Sequence, residues 1–286
     1  MKQITAKQDL SIILICLNDA HCIEDMFLSL KGSDYKELIV VDGGSSDLTV
    51  KIAEKYTKHV YSTEKGMLNQ TLKGLEDAKG KFIFLAESDH IYPKDFSEKL
   101  LGELILTKFD GLQGSLEHLS KNNFFAMGHG EYFKIHCAKK GEREIIACPQ
   151  IWVRSQLEKL LDDMSYGQGF SFDTQRAETC KKLNLKVGMG HTIAFEGGTV
   201  DFSRFKSRTR NYGYGDYDFY KSNSPGWSFF RKIKSITHIG RQYWFKNPAK
   251  SFIHCNPLIA IPYLYLLGAF RYYFWLEKFL SERFKK

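Results

Sequence analysis

Long apolar runs are missing from this chain, and so are paired cysteines, short-period repeats and low-complexity tracts. Without a set of apolar stretches of about 20 residues, a polytopic membrane protein is excluded. The six cysteines (Cys16, Cys22, Cys137, Cys148, Cys180 and Cys255) are scattered, with no C-x-x-C pair. That argues against a zinc ribbon or a disulfide framework and suits a reducing compartment. The first apolar run stops at Asn18-Asp19, too short and too soon polar for a signal peptide. The chain is therefore expected to begin in the cytosol.

What is present is a globular composition: 286 residues, 43% hydrophobic and 26% charged, too apolar for a disordered chain. The net charge of +8 suits nucleic acid, an anionic membrane surface or a phosphorylated substrate. The basic excess lies toward the C-terminus, beside an apolar segment.

The first ninety residues alternate strand and helix. Ser11–Cys16 and Glu37–Val41 are continuous apolar runs, the mark of strands buried on both faces. Val60-Tyr61 and Phe82–Leu85 add two more, with helices predicted around Ile23–Leu30, from Val50 and over Met67–Ala78. This pattern predicts an α/β fold with a mostly parallel sheet, ligands binding at the strands' carboxyl ends.

Acidic and amide residues stand at those ends: Asn18 and Asp19, Asp42 and Asp47, then Glu87 and Asp89. Turn formation and helix capping account for Asp47 well and Asp42 in part. They account poorly for Glu87-Ser88-Asp89-His90, where two carboxylates one residue apart repel unless a cation sits between them. Oxygen ligands suit Mg2+ or Mn2+ carrying a diphosphate.

Four segments in order now carry a resemblance: the run from Ser11 to Asp19, Leu38 to Thr49 with its V-V-D-G-G-S-S-D-L-T, Glu64-Lys65-Gly66, and Lys81 to Asp89. They resemble the inverting family 2 glycosyltransferases of GT-A fold, of bacterial polysaccharide-synthesis type, over roughly the first hundred residues. The resemblance implies that Asn18, Asp19, Asp47, Lys65, Glu87 and Ser88 border the nucleotide-sugar, and that Asp42 accepts hydrogen bonds from the base or ribose. Asp89 matches the second carboxylate of the family's D-x-D metal motif, and Glu87 departs from it where the first Asp stands. Cys148-Pro149-Gln150-Ile151-Trp152-Val153-Arg154 resembles the segment whose polar residue faces the acceptor before an apolar strand, packing of Gln150 and Trp152 being the alternative.

Gly169–Arg176 resembles the acidic segment that supplies the general base. Asp173 is the residue chosen, with helix N-capping as its other role and Asp162 or Asp163 as weaker candidates. An inverting displacement needs a carboxylate to take the acceptor hydroxyl's proton. His191 is carried over as a ligand of the metal or diphosphate, or else as a structural histidine. Arg208 and Arg210 lie in a segment resembling R-x-x-x-Y-G-x-G. Their forks would suit a diphosphate on donor or acceptor, and a solvated basic helix face is the alternative.

Near the end, Pro257–Phe270 is apolar, Arg271 interrupts it and Tyr272–Leu276 resumes it. Upstream, Trp227, Phe229, Phe230, Tyr243, Trp244 and Phe245 interleave with Arg231, Lys232, Lys234 and Arg241. This predicts a segment at an anionic membrane interface. A core or dimer helix is the alternative, and single-stranded nucleic acid is disfavoured by the motifs upstream. The expected architecture is a catalytic domain over 1–200 and a basic, aromatic helical extension over 201–286. The expected protein is a metal-dependent enzyme on the cytoplasmic face of the cell membrane, possessing a nucleotide diphosphate-sugar donor and a lipid-linked or other glycan acceptor. Nucleic acid is not expected, and a homo-oligomer is left open. Two rivals stand beside it: a non-catalytic membrane scaffold, and a sugar nucleotidyltransferase, whose Gly-rich basic loop after the first strand is absent here.

Overall fold

A computed structural model describes residues 4–164, 172–198 and 200–284. Two compact units emerge: residues 4–117, 139–164 and 172–198 in the first, and 118–138 with 200–284 in the second. The second unit thus takes residues 118–138, which the expected division at residue 200 placed in the first.

The first unit runs α1 (Ala6–Asp9), β1 (Leu10–Cys16), α2 (Ile23–Leu30), β2 (Glu37–Asp42), α3 (Thr49–Ala53), β3 (His59–Ser62), α4 (Met67–Asp77) and β4 (Phe82–Ala86). It continues with β5 (His90–Ile91), α5 (Phe96–Thr107) and β6 (Gly111–His118). After α6 (Phe124–Cys137), which belongs to the second unit, come β7 (Gly141–Arg143), β8 (Gln150–Val153), α7 (Arg154–Asp162), α8 (Phe172–Lys182) and β9 (Val187–Glu196). The second unit adds α9 (Phe202–Asn223), α10 (Phe229–Ile236), α11 (His238–Gly240), α12 (Asn247–His254) and α13 (Pro257–Arg283).

The strands form one sheet in the order β3-β2-β1-β4-β8-β6-β9-β5, with β7 on β9. β3, β2, β1 and β4 are parallel, as the strand–helix alternation predicts. β8 runs antiparallel to both β4 and β6, so the sheet is mixed beyond β4. Leu10, Ile12, Ile13 and Leu14 are fully buried, which is what a central strand covered on both faces requires. Ile13, Ile39, Ile83 and Trp152 pack with Leu157 and Leu160 of α7 in one core.

The second unit is a helical bundle with its own core, including Ile135 of α6, Phe205 and Tyr217 of α9 and Tyr263, Leu264 and Leu267 of α13. A Cβ on Gly213 of α9 would meet the Arg271 carbonyl and Phe274, so glycine there permits the close crossing of α9 and α13. Arg271, which breaks the apolar run in sequence, turns into the bundle. It binds Asp216 at 2.5 and 2.8 Å and the Tyr243 hydroxyl at 2.8 Å. One side of the expected interfacial segment is therefore bundle core, because a paired arginine and an aromatic seam bury it against α9. Among the described residues, no helix is long and apolar enough to cross a membrane. Among the described residues the cysteines form no disulfide.

Candidate active site

Parallel register brings the carboxyl ends of β1, β2 and β4 side by side, and their loops are stitched together by side chains. Asn18, at φ 58°, accepts from the Ser46 amide at 2.8 Å, while its own amide donates to Ser45 Oγ at 2.8 Å. Asp47 accepts from the Thr49 and Ala20 amides, and Asp19 accepts from Leu17 N and Ser88 Oγ. The Thr49 hydrogen bond leads in lowering the Asp47 carboxyl. Burial raises that of Asp19, against the Ser88 hydrogen bond.

Asp42 is buried and occupied within its own loop. Its carboxylate accepts the Gly44 and Ser45 amides at 2.8 Å each, and the Ser45 hydroxyl as well. Here it braces the loop from inside. Gln70 of α4 adds a clamp: its buried amide donates to Cys16 O at 3.0 Å and Val41 O at 2.9 Å, joining the ends of β1 and β2. A lone glutamine on a helix carries no sequence signal for such a clamp. Lys65 stands exposed just before α4.

At the end of β4, one ligand atom each from Glu87, Asp89 and His90 fall within 4.8 Å of one another. His90 Nε2 lies 3.7 Å from Glu87 Oε2 and 3.8 Å from Asp89 Oδ1, and its Nδ1 faces the buried Tyr92 hydroxyl at 3.5 Å. Burial raises the Glu87 carboxyl; Asp89 and Asp173 raise it further, while His90 pulls it down. Two carboxylate oxygens and an imidazole nitrogen this close form a donor set that fits a divalent cation. His90 joins this cluster and His191 does not. His191 is exposed on β9, five residues before Glu196, the partner of His90, or about 16 Å along the strand. Its amide donates to Glu103 at 2.6 Å.

Asp173 opens α8, with its side chain 42% exposed and paired to Arg176. Burial raises its carboxyl and Arg176 lowers it. Arg176 is 2% exposed, stacks over Phe172 and donates to Ile146 O at 2.8 Å. A guanidinium fixed in this way presents a set charge to Asp173, and Asp173 in turn is felt at Glu87. Residues Gly169–Ser171 of the acidic segment lie outside the described residues. Asp162 and Asp163 end α7, where Asp163 pairs with Lys182 at 2.7 Å.

Gln150 is fully buried in β8. Its oxygen accepts the Trp152 indole at 2.7 Å and its amide reaches Cys148 Sγ at 3.3 Å, so its side chain packs inward. Arg208 and Arg210 diverge, because two helical residues are about 200° apart. Arg208 meets His129 Nε2 at 2.5 Å, while Arg210 meets Tyr214 and Glu277. They do not converge on one diphosphate.

A family profile described as Glycosyl transferase family 2 matches residues 11–171. A glycosyltransferase named AglJ from Haloferax volcanii is 25% identical over 186 residues, covering 59% of this chain and 57% of its own length. A protein of Bacillus subtilis, called a glycosyltransferase and named EpsH, is 30% identical over 99 residues, 32% of this chain and 29% of its own. The match therefore spans about half the archaeal relative and under a third of the Bacillus one. Among solved structures, residues 1–349 of S. aureus TarS in complex with UDP-GlcNAc align with a TM-score of 0.51 at 13% identity. That alignment covers 94% of this chain and 89% of that one, a likeness of fold.

Proposed function

The chain belongs to glycosyl transferase family 2, and from that premise we propose that it transfers a sugar, with inversion, from a nucleoside diphosphate-sugar to a hydroxyl of a glycan acceptor. The observation that carries the reading is the Glu87–Asp89–His90 cluster at the end of β4, with Asp173 close enough to raise Glu87.

Glu87, Asp89 and His90 would hold Mg2+ or Mn2+, which when bound would neutralise charge gathering on the departing diphosphate. Asn18, Asp19 and Asp47 shape the cleft wall for the nucleoside through the loops they brace, with Lys65 at its edge. Ser88, by holding Asp19, ties the loop between Glu87 and Asp89 to the loop after β1. Asp173 takes the proton of the acceptor hydroxyl as that oxygen bonds to the anomeric carbon, and the bond from that carbon to the diphosphate oxygen breaks. Arg176 orients Asp173 and favours its charged form against the effect of burial. Arg210 and Arg208, on separate faces of α9, would each touch a phosphorylated acceptor only singly. The acceptor we favour is lipid-linked, in surface polysaccharide synthesis, with the second unit resting on an anionic membrane.

Calorimetry with UDP, GDP and dTDP, with and without Mn2+, tests this on wild type and Asp89→Ala. Cation-dependent binding of one nucleotide, lost in the variant, is the expected result. No binding of any nucleotide by the wild type would overturn the catalytic reading in favour of the scaffold.

A further inference from the structure

Helix α10 of the second unit carries an apolar face that none of the other described residues covers. At 100° per residue, Phe229, Ile233, Phe230 and Ile236 fall within a stripe of about 120°. None of its residues is buried: Phe229 is 71% exposed, Phe230 81%, Ile233 43% and Ile236 38%. Lys234 borders the stripe on one side and Lys232 on the other, by the same angular arithmetic. The helix is formed and anchored: Ser228 Oγ caps it by accepting from Arg231 N at 3.3 Å. Just before it, Trp227 packs on Phe219 and Tyr220 of α9, with Arg231 4.8 Å over its ring.

Charge decides what would cover this face. Between Asp218 and Glu277 the sequence has no acidic residue, and eight lysines and arginines. A fixed amphipathic helix rimmed by lysine, in an acid-free stretch, complements apolar chains lying beneath anionic head groups. Two aliphatic side chains share the stripe with the phenylalanines, which suits hydrocarbon better than stacked bases. A second copy of the chain would set the same lysines against each other.

We propose that α10 docks the protein on an anionic lipid surface, inserting Phe229, Phe230, Ile233 and Ile236 with Lys232 and Lys234 at the head groups. The inference rests on the membrane reading above and names the element responsible. The full chain is floated with phosphatidylcholine vesicles, with and without phosphatidylglycerol, as wild type, as Phe229→Ser/Phe230→Ser and as Lys232→Glu/Lys234→Glu. Circular dichroism and nucleotide binding, unchanged, establish that the variants are folded. The expected result is wild-type binding that needs phosphatidylglycerol and falls at least about tenfold in either double variant. Variants that float as well as wild type overturn the role of α10 and leave the membrane reading standing. Wild type that floats with neither vesicle overturns both. A dimer in sedimentation that the phenylalanine variant converts to monomer would instead assign the face to a second copy.

Discussion

The hydroxyl of Ser88 donates to Asp19 Oδ2 at 2.7 Å, joining the loop after β4 to the loop after β1. The two residues lie 69 positions apart in sequence and meet because β1 and β4 are neighbours in parallel register. The bond holds Ser88 inward, between Glu87 and Asp89 of the candidate cation cluster. Ser88→Ala should cost about 1 kcal/mol in urea unfolding. It should also raise the Asp19 carboxyl further, since this hydrogen bond pulls it down. An unchanged unfolding midpoint would show that the loops are held elsewhere.

Asp173→Asn keeps the shape of the side chain and removes its basicity. Donor binding by calorimetry should persist while transfer falls by about 10²–10⁴. Transfer near the wild-type rate would remove Asp173 from the role of base.

The pH dependence of kcat/KM reports the same group. Burial lifts the Asp173 carboxyl above its ordinary value of 3.8, so the rate should fall on acidification at a pH above that of a solvated aspartate. Arg176 opposes the lift by favouring the charged form. Arg176→Gln should move the acid limb to higher pH, and Arg176→Lys, which keeps the cation, should move it less. For stability the sign is the reverse of the common carboxylate case. The folded chain binds this proton more tightly than the unfolded one, so the contribution is present below 3.8 and lost as pH rises through the folded value.

Gly128 of α6 is fitted against the Tyr263 ring of α13, and a Cβ there would collide with it. Gly128→Ala should destabilise the second unit by about 1–3 kcal/mol, because neither the helix backbone nor a fully packed ring has room to yield. Thermal melting followed by near-ultraviolet dichroism would read the loss, and an unshifted transition would contradict the packing described.

The sequence by itself determined the parallel half of the sheet and the acidic loops at its carboxyl ends. Four apolar runs separated by amphipathic helices admit few other arrangements, and buried strands declare themselves in composition. Family membership was legible in the same stretch, from Ser11 to Asp89. The tertiary structure decided what local pattern cannot encode. His90, one residue from Asp89, enters the cation cluster while His191 does not, because strand pairing sets β5 against the far end of β9. Gln150 reads as a polar residue before an apolar strand, yet it is buried with its amide taken up by Trp152 and Cys148, since β8 lies between β4 and β6. Arg208 and Arg210 look like a pair in sequence and face apart on a helix. The C-terminal apolar run is half bundle core, because Asp216, far away in the chain, supplies the partner that lets Arg271 turn inward. Among the described residues α10 keeps an exposed apolar face, and Phe252, Ile253 and Leu258 of α12 and α13 stay exposed as well, because only some helix surfaces found a partner.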